Sequence, residues 1–156
     1  VGAGKNQEAY KLCLGGLLCG VIGAIFMSVV IFLFRKPLFE IFSENPNIVK
    51  TGGKLLALAI VLEPGRVFNL VLMNSLKASG DVRFPVFMGC ISPWIFAVGL
   101  AYLLGIRFGL GLIGVWIAYS TDEWFRGWTA FFRWRSRIWE QKALLRNTTP
   151  EGGHEA

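Results

Sequence analysis

At 156 residues the chain is 54% hydrophobic and 14% aromatic, only 17% charged, with a mean hydropathy of +0.53. A soluble domain runs near 45–50% apolar and about 25% charged, so an ordinary soluble globular class is excluded. The net charge of +6 would suggest nucleic acid in a soluble protein. Here the basic residues lie between and after long apolar runs, where they set membrane orientation, and no nucleic-acid partner is expected.

A bilayer core about 30 Å thick takes roughly 20 apolar residues per helical crossing. Four segments reach that length, so the expected fold is all-α: an integral membrane domain of four transmembrane helices, with membrane lipid as its solvent. Residues 1–9 read as a polar loop, and the first span covers about 10–34. Within it Gly16, Gly20, Ala24 and Ser28 recur every fourth residue. That spacing puts small side chains on one face, where another backbone can approach in lipid. The connecting segment RKPLFEIFSENPNIVKTGGK holds Pro37, Pro46 and Gly52-Gly53, and its apolar residues suggest a short interfacial turn.

The second span, about 54–76, carries LEPGRVFN, and Pro64 is expected to kink it by removing a helix hydrogen bond. A tight polar loop, KASGDVRFP, closes it. The third span, about 85–106, has Pro93 near its middle and no ionisable carboxylate or base. The fourth, about 109–132, contains STDEWFRG. Residues 133–146 alternate aromatic and basic side chains, which suits an interfacial helix with Trp134 and Trp139 at headgroup depth. The last ten residues, 147–156, read as a disordered tail. The chain opens at Val1 without a signal sequence, as the downstream part of something longer would.

An even number of spans puts both ends on one side. Ten basic residues fall there (Lys5, Lys11, Lys77, Arg83, Arg126, Arg133, Arg135, Arg137, Lys142, Arg146). Five fall on the other (Arg35, Lys36, Lys50, Lys54, Arg107), so both termini are expected in the cytoplasm.

Charges inside a span cost about 2.5 kcal/mol or more each and mark function by default. Glu63 and Arg66 lie three residues apart on one face of the second span. Asp122 and Glu123 precede Arg126 by four and three residues in the fourth. Both clusters fall near mid-span, and Asn69 and Asn74 are expected to add polar groups to the same interior. Static intrahelical pairing is the plain alternative. Against it stands the count of three carboxylates to two arginines: a desolvated acid without a fixed partner can load and release a proton. Pro64 frees a backbone carbonyl beside the cluster, as broken helices do at transporter sites.

Other chemistry has little material. Cys13, Cys19 and Cys90 lie in apolar segments as packing residues, and His154 is the single histidine. No catalytic set and no metal site is expected. Gly2-Ala3-Gly4-Lys5 fails as a phosphate loop because Asn6 follows the lysine.

Taken together, VGAGKNQEA, EPGRVFN with SLKASGDVRFP, and GLGLIGVWIAYSTDEWFRG resemble the C-terminal part of a multidrug and toxic compound extrusion (MATE) transporter, over nearly all of residues 1–146. The resemblance implies a twelve-helix protein whose two six-helix lobes rock around a central cavity. These spans would be its ninth to twelfth helices, with the N-terminal lobe of the same protein as partner. It further implies export of cationic or amphipathic compounds in exchange for protons or sodium, no other cofactor, and a bacterial inner membrane. The acidic ion-site position of one branch falls on Arg66 here, and the first-helix aspartate of another branch is not among these residues. Glu63 with Asp122 and Glu123 is the expected replacement. The rival readings are a lipid or glycan flippase of the same fold and a non-transporting four-helix assembly subunit; an enzyme is the least favoured.

Overall fold

The computed structural model describes residues 6–42 and 45–140. It is built from α1 (Asn6–Leu33), a short α2 (Arg35–Phe42), α3 (Pro46–Ala78), α4 (Arg83–Pro93) and α5 (Leu112–Arg135). Beyond Pro93 the helix continues as π-helical turns over Trp94–Leu100 and Leu103–Arg107, and α4 below denotes the whole run Arg83–Arg107. Among the described residues three helices are long and apolar enough to cross a membrane: Gln7–Leu33, Pro46–Ala78 and Arg83–Arg107. The 24-residue α5 has the length, but Asp122, Glu123 and Arg126 interrupt its apolar run.

α3 lies at the centre, with α1 on one side and α5 on the other, and α4 packs chiefly on α5. Contacts fix the directions. Cys13 and Gly20 of α1 meet Ser75 and Val67 of α3, so that pair is antiparallel. Val61 and Phe68 of α3 meet Trp124 and Phe131 of α5, so those two run parallel. Phe84, Ser92 and Gly105 of α4 meet Arg133, Asp122 and Gly114, an antiparallel pairing. The exterior is apolar, with Phe26, Trp94, Tyr102 and Ile106 exposed, as a lipid-facing surface requires.

The α3–α5 seam is made of small residues facing large ones. A Cβ at Gly65 would lie 2.6 Å from the Trp124 indole nitrogen, and one at Gly127 would overlap the Phe68 ring. Phe68 sits among Trp124, Trp128 and Phe131 at centroid distances of 5.8, 5.4 and 5.9 Å. Below this, Leu17, Leu72, Met73, Leu76, Ala130 and Trp134 form the buried core.

Several boundaries differ from the sequence expectation. α1 begins at Asn6, inside the expected loop, whose first five residues lie outside the described ones. The connecting segment is mostly helical. The Asn45 side chain accepts the Asn47 N–H at 3.0 Å and Pro46 follows at the first helical position, so α3 starts eight residues early. Gly52, read as part of a break, instead seats the ring of Phe39 from α2. α3 ends in a Schellman cap: Gly80 at φ 90° lets the Asp81 and Gly80 amides donate to the Leu76 and Lys77 carbonyls at 2.9 and 3.0 Å. Pro93 marks where α4 passes into its π-helical turns, a common response to a missing donor.

The expected small-residue face of α1 is used in part. Gly20 makes the close approach, with Val67 Cγ1 2.9 Å from a built Cβ, whereas Gly16 faces open space. Cys13 is half-buried against Ser75, but Cys19 and Cys90 face outward and are not packing residues. α5 reaches Arg135, so 133–135 belong to it, and the chain turns at Arg137 with φ 56°. Trp134 and Trp139, expected at headgroup depth, are both buried and stacked 4.5 Å apart. Residues 141–156, with the rest of the expected interfacial helix and the tail, lie outside the described ones.

Replacing Gly127 with Val should force Phe68 out of its seat and cost about 1–3 kcal/mol. Thermal unfolding of the whole protein in detergent checks this. Gly89→Ala, whose added methyl meets nothing within 4 Å, should leave the midpoint where it is or raise it.

Candidate functional site

In α5, the three- and four-residue spacings bring two acids to one base. Arg126 Nη2 stands 2.8 Å from Asp122 Oδ2 and 3.0 Å from Glu123 Oε1. The remaining oxygens are held by other helices. The Ser92 hydroxyl of α4 donates to Asp122 Oδ1, and Asn69 Nδ2 of α3 donates to Glu123 Oε2 at 2.7 Å. Asp122 is 1% exposed and Glu123 4%. Buried charges persist only when paired and hydrogen-bonded; here three of the four carboxylate oxygens accept hydrogen bonds and Asp122 Oδ2 has an ionic contact alone. The set nevertheless carries two negative charges against one positive.

Glu63 and Arg66 form a second set. Arg66 Nη1 donates to Glu63 Oε1 at 3.0 Å, and both side chains are over a third exposed. The Arg66 guanidinium lies 5.6 Å from the Tyr119 ring of α5, which is where the two sets approach. Glu63 also lines a groove of about 540 Å³ with Gly20, Ala24 and Ser28 of α1 and Trp116 of α5. Of the six expected residues, Asn69, Asp122, Glu123 and Arg126 are thus brought together, while Glu63 and Arg66 close on each other. Asn74, expected in the same interior, is exposed instead. Near Pro64 the Trp124 indole N–H donates to the Val61 carbonyl at 2.9 Å. That carbonyl is one residue past the Ile60 carbonyl that Pro64 leaves without its helical donor.

Nothing in the spacing singles out Ser92, a hydroxyl in an otherwise apolar span. Its place beside Pro93, where the helix changes pitch, is the available hint. The polar loop hides a second pair. Asp81, 0% exposed, receives a two-point grip from Arg133 of α5, through Nε to Oδ2 and Nη2 to Oδ1, the latter at 3.3 Å. Arg133 also lies 4.6 Å over the Phe84 ring. The Asp81–Phe84 stretch is therefore a clasp between the α3–α4 turn and the end of α5. Among the described residues no three His, Cys, Asp or Glu side chains converge as metal ligands.

The clasp joins Asp81 of GDVRFP to Arg133, and the buried acids and their arginine come from DEWFRG. The family described as MatE matches residues 1–103, well over half of the sequence. The chain belongs to the MatE family. It is 44% identical to the "Uncharacterized transporter YisQ" of Bacillus subtilis over 92% of this chain and 32% of that protein. It is 24% identical to the "Probable multidrug resistance protein NorM" of Thermotoga maritima over 92% of the chain and 31% of the relative. A protein of the same description from Oceanobacillus iheyensis is 23% identical over 75% and 26%. The chain spans about a third of the length of the first two of these relatives. No solved structure matches. The MatE match stops inside α4, whereas the longer alignments take in α5 and its charges. As a MatE segment the chain is part of a multi-pass membrane protein.

Arg133→Gln should take the two-point ionic grip from the buried Asp81 carboxylate and cost about 1.5–3 kcal/mol. Asp81→Asn in the same chain should recover part of it. Denaturation midpoints of the two variants of the whole protein measure the difference.

Proposed function

We propose that this chain is the C-terminal part of a secondary active antiporter that exports cationic or amphipathic compounds in exchange for protons or sodium. The observation that carries the reading is the buried Asp122–Arg126–Glu123 set, with its surplus negative charge and its braces from two further helices. A purely structural pair has no need of the second acid. A coupling site does, because it must hold a cation in one state and release it in the other.

In this reading α5 is the fourth crossing. Its three charges are met inside the bundle and not by lipid, which removes the penalty that would otherwise keep it out of the membrane. The excess of basic residues on the side of both ends supports cytoplasmic termini, and the bacterial relatives support a bacterial inner membrane. The partner is the N-terminal lobe of the same protein, against which these helices rock. Membership of the MatE family supports transport, and the relatives named as multidrug resistance proteins support the substrate class.

Glu63→Gln, Asp122→Asn and Glu123→Gln, each made in the whole protein, test the reading through efflux of a cationic dye from cells. At least one amide is expected to abolish ion-driven export at normal expression. Normal export by all three removes these carboxylates from coupling.

A further inference from the structure

The α5 acids offer more than a place where some cation binds. Resting on the antiporter reading above, we infer that Asp122, Glu123 and Arg126 form a one-proton site from which sodium is excluded, with Ser92 and Asn69 as its positioning residues. The guanidinium occupies the place between the two carboxylates where a bridging metal cation would have to sit, its Nη2 touching an oxygen of each. The other two oxygens face the Ser92 hydroxyl and the Asn69 amide, both of them donors. A sodium ion would have to displace a fixed positive charge and turn the Ser92 hydroxyl and the Asn69 amide from donating to the carboxylates to ligating through their own oxygens. A proton needs none of this.

Charge and hydrogen bonding both leave a deficit of one proton. With both acids ionised the buried set carries one net negative charge. Asn69 Oδ1 and Asp122 Oδ2 are buried acceptors without a hydrogen-bond donor, against one idle donor in the set, Arg126 Nε. Asp122 Oδ2 thus has its ionic contact but no aligned hydrogen bond. One proton on either carboxylate neutralises the set and supplies the missing donor. It is taken from water when the site opens on one side and returned to water on the other, with no other bond made or broken.

Among the described residues the surroundings add no competing counter-ion. On α3 the charged neighbours are Glu63 and Arg66, which pair with each other. On α4 the contribution is Ser92, while its titratable Cys90 and Tyr102 are exposed. On α5 Tyr119 stands under Arg66. The Asp81–Arg133 pair lies at the far end of the same helix.

The test uses the whole transporter in liposomes, with ethidium as the probe and either a pH gradient or a sodium gradient imposed. The pH gradient should drive ethidium movement and the sodium gradient should not. Glu123→Gln and Asp122→Asn each make the set neutral without a proton, so each should lose the pH-driven rate by at least tenfold. Ser92→Ala should displace the pH profile and lower the rate severalfold, and Ser92→Thr, which keeps the hydroxyl, should restore both. Ethidium added to the detergent-solubilised protein should release protons from the wild type and not from Glu123→Gln. Equal driving by sodium overturns the inference, as does a Glu123→Gln variant that responds to the pH gradient and releases protons like the wild type; in both cases antiport itself stands. If neither gradient moves ethidium in the wild type, the antiporter reading falls with it.

Discussion

Arg126 serves two carboxylates at once, and the arrangement of three helices follows from that sharing. No water is available inside a bilayer to complete the coordination of a charge. One guanidinium nitrogen is already split between Asp122 and Glu123, so each acid must find its second partner on another helix. Ser92 comes from α4 and Asn69 from α3. The polar contacts therefore act as registration marks: α3, α4 and α5 can slide or rotate only by breaking one.

Apolar packing then fixes how close the helices come. Lipid offers no hydrophobic drive for helix association, so shape governs it. Gly65 and Gly127 leave room for Trp124 and Phe68, which brings α3 against α5 near the Asn69–Glu123 bond. A bulkier residue at either glycine would separate the donors from the acids they hold. At the end of the bundle the Asp81–Arg133 clasp ties the α3–α4 turn to α5, so that the Schellman cap at Gly80 and the end of α5 are held as one unit.

The proposed coupling depends on the same balance of satisfied and unsatisfied groups. Glu63 and Arg66 neutralise each other at a partly open surface beside the α1 groove. The α5 acids are enclosed and one charge short of neutrality. A group that is cheap to leave as it is makes a poor coupling site; one that gains by taking up a proton, and loses by keeping it once water arrives, makes a better one.

By itself the sequence determined the class of the protein, its long apolar helices, and the pairing of charges within each helix. Those depend on composition and on the three- and four-residue periodicity, which are local. The family motifs were legible for the same reason, since each is a short run. Where one helix ends and the next begins was legible only in part: Asn45 as a cap and Phe39 on Gly52 turned an apparent break into helix. Tertiary structure alone decided which charges meet across helices. Ser92 joined Asp122, Arg133 reached back to Asp81, Asn74 turned outward, and Glu63 stayed apart from the α5 acids. The rotation and height of one helix against another are set by many small contacts between residues far apart in the chain, and no local spacing encodes their sum.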